Sequence, residues 1–328
     1  MNGRRRACVV GGQGALGRVA VDALRSAGWS VHPAGRRPDA RDDYRLIDLH
    51  QPGTLGLALE DVDLVLSTVP DPGFVAERWV LEHGGLLVNC SHAPGAAAAD
   101  LTAEIGDGCK GTVLLNGGLV PGVANLIAAD LLRRHPAADT LEVAFTVLRE
   151  GTAGRGGGQF VHSGLTARSR HQMIELPMPA PFGELWCIEI HESEDCGFAA
   201  VAEGRRVRNY LGFGDRPVSW ALQTANALGL MRLLPSVAFT AGSGGSGSPS
   251  QEPTAIWIGV REEQKLLGAS TAECKGDYRV TALAARLFGE ALLANPRPGC
   301  FNPEDLFDLG DLVSPLNEMG VRIAQSSH

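Results

Sequence analysis

Three glycines, Gly12, Gly14 and Gly17, follow the short apolar run from Ala7 to Val10 and precede Val19, Ala20, Ala23 and Leu24, which recur at helical spacing. A strand, a glycine turn and a helix in that order can cradle a pyrophosphate. Gly12 allows the tight turn, Gly14 lets backbone N–H groups approach the phosphates, and Gly17 lets the helix pack closely on the strand. Gln13, Ala15 and Leu16 lie between them, at the positive end of the helix dipole. Roughly 20 residues further on, an acidic residue in such a unit receives the ribose 2′-hydroxyl of NAD. Arg36 and Arg37 stand there instead. Guanidinium groups pair with phosphate in bidentate fashion, so the pattern favours NADP(H) over NAD(H), with Asp39 nearby keeping NAD open.

Candidate proton donors are fewer. Asn89, Cys90, Ser91 and His92 end an apolar run, and His92 has a side chain suited to acid–base work near neutrality. Further along, His162, Arg168, Arg170, His171 and Tyr210 are possible substrate contacts; Arg168 is the best carboxylate or phosphate clamp because of its planar donor fork. Tyr210 is also a catalytic candidate. Glu189, His191, Glu192, Glu194, Asp195 and Cys196 are metal-ligand types, but a solvated strand end explains them and no metal is expected. The glycine-rich run 151–158 lacks the Lys and Ser/Thr of a P-loop and reads as a loop or a lid over the substrate.

These residues need a scaffold of alternating elements. Strands are expected from Trp29 to Ala34, from Tyr44 to Asp48 with Asp48 at its end, from Val62 to Pro70, from Gly85 to Ser91 and from Thr112 to Asn116, with helical segments between them. The Val62 run is apolar on both faces, as a central parallel strand is. Ser67, Thr68, Val69 and Pro70 end it, and ligands sit at the carboxyl ends of such strands. This is a Rossmann-type parallel sheet. Alternation from Leu141 to Glu150, and further strands at Trp186–His191, Arg205–Phe213 and Ala255–Glu262, indicate a second, α+β domain of mostly antiparallel sheet.

Several stretches together resemble the saccharopine dehydrogenase and reductase superfamily. They are Gly12 to Gly17, Ser67 to Pro70, Gly118 to Asn125, Gly276 to Tyr278 with the run from Thr281, and Pro298 to Leu306 running to Ile323. The resemblance implies a discontinuous nucleotide-binding domain, residues 1–125 plus 280–328, with an inserted substrate and dimerisation domain at 126–279. Together with the apolar outer faces of the second domain's strands it suggests a homodimer, and Ser91, at the end of the Gly85 strand, is expected in the cofactor site. Relatives acting on amino acids often carry an acidic residue in the Gly118–Gly122 stretch; Val120 stands there, which puts the substrate class in doubt.

The bulk properties fit. At 328 residues two domains are the default. A net charge of −8 argues against a nucleic-acid partner. Seven scattered cysteines without a C-x-x-C pair suggest neither zinc nor a disulfide framework, so a cytoplasmic location is expected. No apolar run approaches the ~18 residues a membrane span needs. The expectation is an NADP(H)-dependent oxidoreductase that reduces a C=N or C=C bond of a small, biosynthetic metabolite. The alternative is an NADP-binding regulator or scaffold without turnover.

Overall fold

The parallel sheet begins with β1 (Arg6–Val10), whose residues alternate between two buried faces. Cys8 and Val10 point to one face and Ala7 and Val9 to the other, and all four are buried. Such a strand is stable only with helices on both sides, and α1 (Ala15–Ser26) follows at once, burying Gly17, Ala20, Val21 and Leu24. The chain continues through β2 (Ser30–Gly35), β3 (Arg45–Leu46), α2 (Leu55–Leu59), β4 (Leu64–Ser67), α3 (Val75–His83), β5 (Leu86–Asn89), α4 (Ala97–Ile105) and β6 (Thr112–Leu114). The computed structural model describes residues 5–94, 96–147, 155–190, 197–236 and 252–327.

A seventh strand joins this sheet from far along the chain. Helix α5 (Val123–Arg134) leads away into the second unit. That unit contains β7 (Thr140–Val147), α6 (Arg155–Thr166), β8 (Met173–Met178), β9 (Gly183–Ile190), α7 (Ala199–Ala202), β10 (Arg206–Phe213), α8 (Arg216–Leu228), β11 (Pro253–Glu262) and β12 (Lys265–Lys275). Helix α9 (Asp277–Ala294) brings the chain back to β13 (Gly299–Phe301), which pairs with β6. The order β13-β6-β5-β4-β1-β2-β3 is parallel throughout. On one face, Cys8, Val10, Val65, Leu87 and Val113 pack with Leu55, Ala76, Val80 and Leu101 from α2, α3 and α4. On the other, α9 approaches so closely that a Cβ on Gly289 would stand 2.9 Å from Leu64. Phe288 beside it is fully buried and packs on Phe307 with ring centroids 5.1 Å apart.

Two short helices, α10 (Pro303–Leu306) and α11 (Leu309–Glu318), lead to β14 (Arg322–Ser327). The tail corrects the expected domain boundary. The compact units are Met1–Val123 with Tyr278–Phe307, and Ala124–Asp277 with Asp308–His328. Residues beyond Phe307 therefore belong to the second unit, because β14 pairs antiparallel with β12. The second sheet runs β14-β12-β11-β7-β10-β9-β8, antiparallel except for β7 beside β10. Trp257, Tyr210, Ala144, Leu176 and Met178 form a core on one of its faces.

Other expectations shift by a few residues. The strand expected at Tyr44–Asp48 is reduced to Arg45–Leu46. The glycine run expected to be a loop to residue 158 is helical from Arg155. The amphipathic segment containing Val161 and Leu165, both buried, carries the helix back through the glycines despite their low propensity. Residues 148–154, 191–196 and 237–251 lie outside the described residues, and with them His191, Glu192, Glu194, Asp195, Cys196 and the Gly/Ser-rich stretch 242–247.

Because Phe288 fixes the returning helix to the first sheet, Phe288→Ala is expected to lower unfolding free energy by about 3–5 kcal/mol. Urea denaturation followed by tryptophan fluorescence reads this directly.

Candidate functional site

The first unit holds a cleft of about 620 Å³ at the carboxyl ends of its strands. Its walls come from four chain segments: Val10 to Gly14 after β1, Ala34 to Arg37 after β2, Ile47 to His50 after β3, and Val69 to Gly73 with Val75 after β4. Of the residues expected to bind a cofactor, Gln13, Gly14, Arg36, Arg37, Asp48, Val69 and Pro70 line it together.

The turn at its base has no room for a Cβ at Gly11 or Gly12. The left-handed residue is Gly11, at φ +80°, rather than Gly12. Its N–H donates to the Ala34 carbonyl at 2.9 Å, joining the turn to β2. A Cβ on Gly12 would meet Pro33 at 2.8 Å, and one on Gly17 would run into the Gly11 carbonyl. Gly17 is therefore the close-packing glycine. At Gly14, which caps α1, a Cβ would meet only the Gly11 carbonyl, at 3.1 Å. No side chain caps α1 and its first turn has no acidic residue. Its N–H groups and positive dipole end thus face the cleft without an internal anion.

The β2 end is equally ordered. The Tyr44 hydroxyl donates to the Arg37 carbonyl at 2.7 Å. Asp39, two residues beyond Arg37, is engaged by its neighbours. Arg41 binds both its oxygens at 3.0 and 2.9 Å, and Gln13 Nε2 donates to it at 2.7 Å. The Arg41 side-chain hydrogen bond holds the Asp39 carboxyl below the usual carboxylate range. Asp48 accepts from the His50 amide at 3.1 Å and from Gln51.

Several expected site residues lie elsewhere. The Thr68 hydroxyl donates to the Val10 carbonyl at 2.8 Å and fastens β4 to β1. Ser67 is fully buried and turns onto the Val69 carbonyl. Both therefore support the cleft from behind, as Ala15, Leu16 and Gly17 do from within the first turn of α1. Ser91 donates its N–H to Asn89 Oδ1 at 2.6 Å, outside the cleft lining. His92 beside it is half-buried, with Nε2 shielded from solvent. Sequence reasoning missed Asp71, Ile47, Leu49 and His50, which line the cleft one to three residues beyond expected site positions or strand ends. Asp71 follows Pro70 directly, and its position at a helix start was the available signal.

In the second unit, Arg168 is exposed just after α6. Tyr210 is a correction: it is 0% exposed, within the sheet core. Its hydroxyl donates to Glu142 at 3.5 Å, and burial followed by the Glu142 charge pushes it up to about 12. A core tyrosine so held cannot reach a substrate or give up its proton near neutrality. Glu142 is itself buried and takes Arg261 Nε at 2.6 Å. Both line a second, highly charged cavity of about 620 Å³ with Arg206, Arg208 and Glu263. His162 and His171 bond to the carbonyls of Leu234 and Leu165 at 2.9 and 2.8 Å, so these rings act as braces. Burial pushes the Cys8 and Cys90 thiols in the first unit up to about 12, which leaves neither as a nucleophile. Among the described residues no group of three His, Cys, Asp or Glu could hold a metal ion, and no helix is long and apolar enough to cross a membrane.

No protein-family model matches the chain, and no curated protein matches it. Solved structures do. DAP dehydrogenase from C. glutamicum, in complex with DAP, aligns over 95% of this chain and 98% of its own at 11% identity and a TM-score of 0.51. An engineered D-amino acid dehydrogenase bound to NADP+ covers 95% and 99% at 11% identity and a TM-score of 0.49. Dipicolinate-bound dihydrodipicolinate reductase from Paenisporosarcina sp. TG-14 covers 93% and 100% at 13% identity and a TM-score of 0.45. At these identities the likeness to DAP dehydrogenase is one of fold. The chain has the two-domain α/β architecture of that dehydrogenase, a parallel Rossmann-type sheet plus a mostly antiparallel one.

The Glu142–Arg261 pair gives a sharp test of the second sheet. Arg261→Ala strands a buried carboxylate and is expected to cost about 3–5 kcal/mol of stability, read as a lowered Tm.

Proposed function

We propose that this protein is an NADP(H)-dependent oxidoreductase that reduces a C=N or C=C bond of a small metabolite. One observation carries the reading: the uncapped start of α1 and the pair Arg36–Arg37 open onto the same cleft. The amides of the uncapped first turn of α1 suit a pyrophosphate, and two guanidinium groups at the β2 end suit a 2′-phosphate. Asp39, which could otherwise receive a ribose hydroxyl, is bound by Arg41 and Gln13. That engagement weighs toward NADP in this reading. The fold likeness to DAP dehydrogenase and the motif resemblance to saccharopine dehydrogenase-like proteins both support an oxidoreductase.

The protein's own tasks are then binding and orientation. The start of α1 beside Gln13 and Gly14 receives the pyrophosphate, Arg36 and Arg37 the 2′-phosphate, and Val69 and Pro70 form an apolar wall. Bound there, a nicotinamide cofactor supplies or accepts a hydride. His92, at the corner after β5, is the proton donor in this reading; Arg168, exposed in the second unit, has the donor fork for an anionic group.

Fluorescence titration with NADPH and NADH tests the proposal. NADPH is expected to bind more tightly, and absence of binding by either nucleotide refutes the reading. In the Arg36→Ala/Arg37→Ala double variant, NADPH affinity is expected to fall about tenfold or more while NADH affinity changes little, since each charged hydrogen bond contributes about 1.5–3 kcal/mol.

A further inference from the structure

Beneath the cleft lies a carboxyl group that the binding reading does not use. Glu77, on α3, is 0% exposed. Its Oε1 accepts from Asn89 Nδ2 at 2.6 Å. Asn89 in turn accepts the Ser91 N–H at 2.6 Å through Oδ1, at the corner that carries His92. The other oxygen, Oε2, has no donor among the described residues. The Asp71 carboxylate, an acceptor like itself, is anchored beside it on the amides of Val75 and Ala76, the two residues that precede Glu77 on α3.

Asp71 is committed on its other sides. It lines the cleft, and its oxygens accept the N–H groups of Gly73 at 3.2 Å, Val75 at 2.7 Å and Ala76 at 3.2 Å. These three bonds fix the entry of α3. Two ionised carboxylates in this position would repel each other, whereas two sharing one proton form a hydrogen bond. The proton belongs on Glu77, the more deeply buried of the two, while Asp71 serves its three amides as acceptor.

We infer that Glu77 is a positioning residue for the nucleotide cleft, whose shared proton ties Asp71 on the cleft wall to Asn89 and, through it, to the Ser91–His92 corner. The inference rests on the nucleotide-binding reading of the cleft. With the proton present, the loop after β4 and the corner after β5 are held as one piece. With the proton lost, a buried charge faces the Asp71 charge and pushes the cleft wall outward.

The surroundings support a titration near neutrality. Burial, then the Asp71 charge, pushes the Glu77 carboxyl from 4.5 up to about 7, against the opposing bonds from its own backbone and Asn89. The other groups facing it are few. Arg78, next on α3, directs its guanidinium to Glu104 of α4 at 2.8 Å. Cys300 of β13 faces Glu77 as a thiol that burial pushes further up, with Asp305 and Cys109 on its other sides. Between 4.5 and 7 the folded protein keeps a proton that the unfolded chain has lost. The contribution of this group to stability is therefore complete below 4.5 and declines as pH rises through 7.

Glu77→Gln mimics the protonated form, since its amide donates to Asp71 and its carbonyl still accepts from Asn89. NADPH and NADH dissociation constants of wild type and E77Q, measured between about pH 5.5 and 8.5, test the inference, because the nucleotide's own titration cancels between the two proteins. The two are expected to match at the acid end, and wild type to bind both nucleotides about threefold or more weakly than E77Q at the alkaline end. Asp71→Asn, which removes the opposing charge, is expected to flatten the pH profile in the same way. The Tm of wild type is expected to fall relative to E77Q as pH rises, a change that a purely packing role would not produce. If wild type binds nucleotide and E77Q follows the same pH profile, the inference is overturned while the nucleotide reading stands. If neither protein binds either nucleotide, the reading falls and takes the inference with it.

Discussion

The first unit depends on a steric constraint: the turn between β1 and α1 leaves no space for a Cβ at three of its positions. Gly11 is left-handed, Gly12 lies against Pro33, and Gly17 lies on the Gly11 carbonyl. Only with these contacts made can α1 start directly above β1 with its first amides uncapped. The Thr68 hydroxyl and amide both reach the Val10 carbonyl, so the neighbouring strand end is tied to the same point. The cleft is thus a product of backbone proximity, and its walls inherit their positions from the sheet. Burying each Leu or Val of that sheet contributes about 1.5–3 kcal/mol, which is the source of the rigidity the turn uses.

Charge is arranged with similar economy on both sheets. In the first unit Asp39 is taken up by Arg41 and Gln13, while Arg36 and Arg37 line the cleft together with Asp48. In the second, Glu142 is buried with Arg261 and the Tyr210 hydroxyl. A buried pair of this kind adds little net stability because desolvation offsets attraction, but removing one partner is strongly destabilising. Its contacts link β7 to β11 through Arg261 and to β10 through the Tyr210 hydroxyl.

The parallel sheet was largely legible in the sequence, because apolar strands buried on both faces announce themselves without tertiary information. The glycine turn was legible for the same reason: only one residue type fits it. The legible part ended where contacts are long-range. Tyr210 resembles a catalytic side chain in sequence, and only the packing of β7, β8 and β11 around it shows that it is core. The helix through Gly156–Gly158 overrode local propensity because Val161 and Leu165 bury its apolar face. Glu77 gave no signal, since a glutamate on a helix is ordinarily a solvent-facing residue and only the three-dimensional alignment of α3 with β5 puts it beside Asn89. The fate of the tail was hidden too, as pairing of β14 with β12 is separated in sequence by all of α9 and β13.

That last pairing affects how the chain is assembled. The polypeptide passes between the units three times, first at the start of α5, again at the start of α9, and finally between α10 and α11. Each unit is consequently stitched from two separate segments, and neither can be excised by a single cut. During synthesis, the second sheet waits with β12 as an open edge while the first unit receives α9 and β13, and only then does β14 cover that edge. Such a laced chain couples the folding of the two halves through covalent topology, with long-range pairings that close late and slowly. A released chain ending after β13 would hold a complete parallel sheet in one unit and an unprotected β12 edge in the other, an aggregation-prone species of the kind that exposed strand edges create.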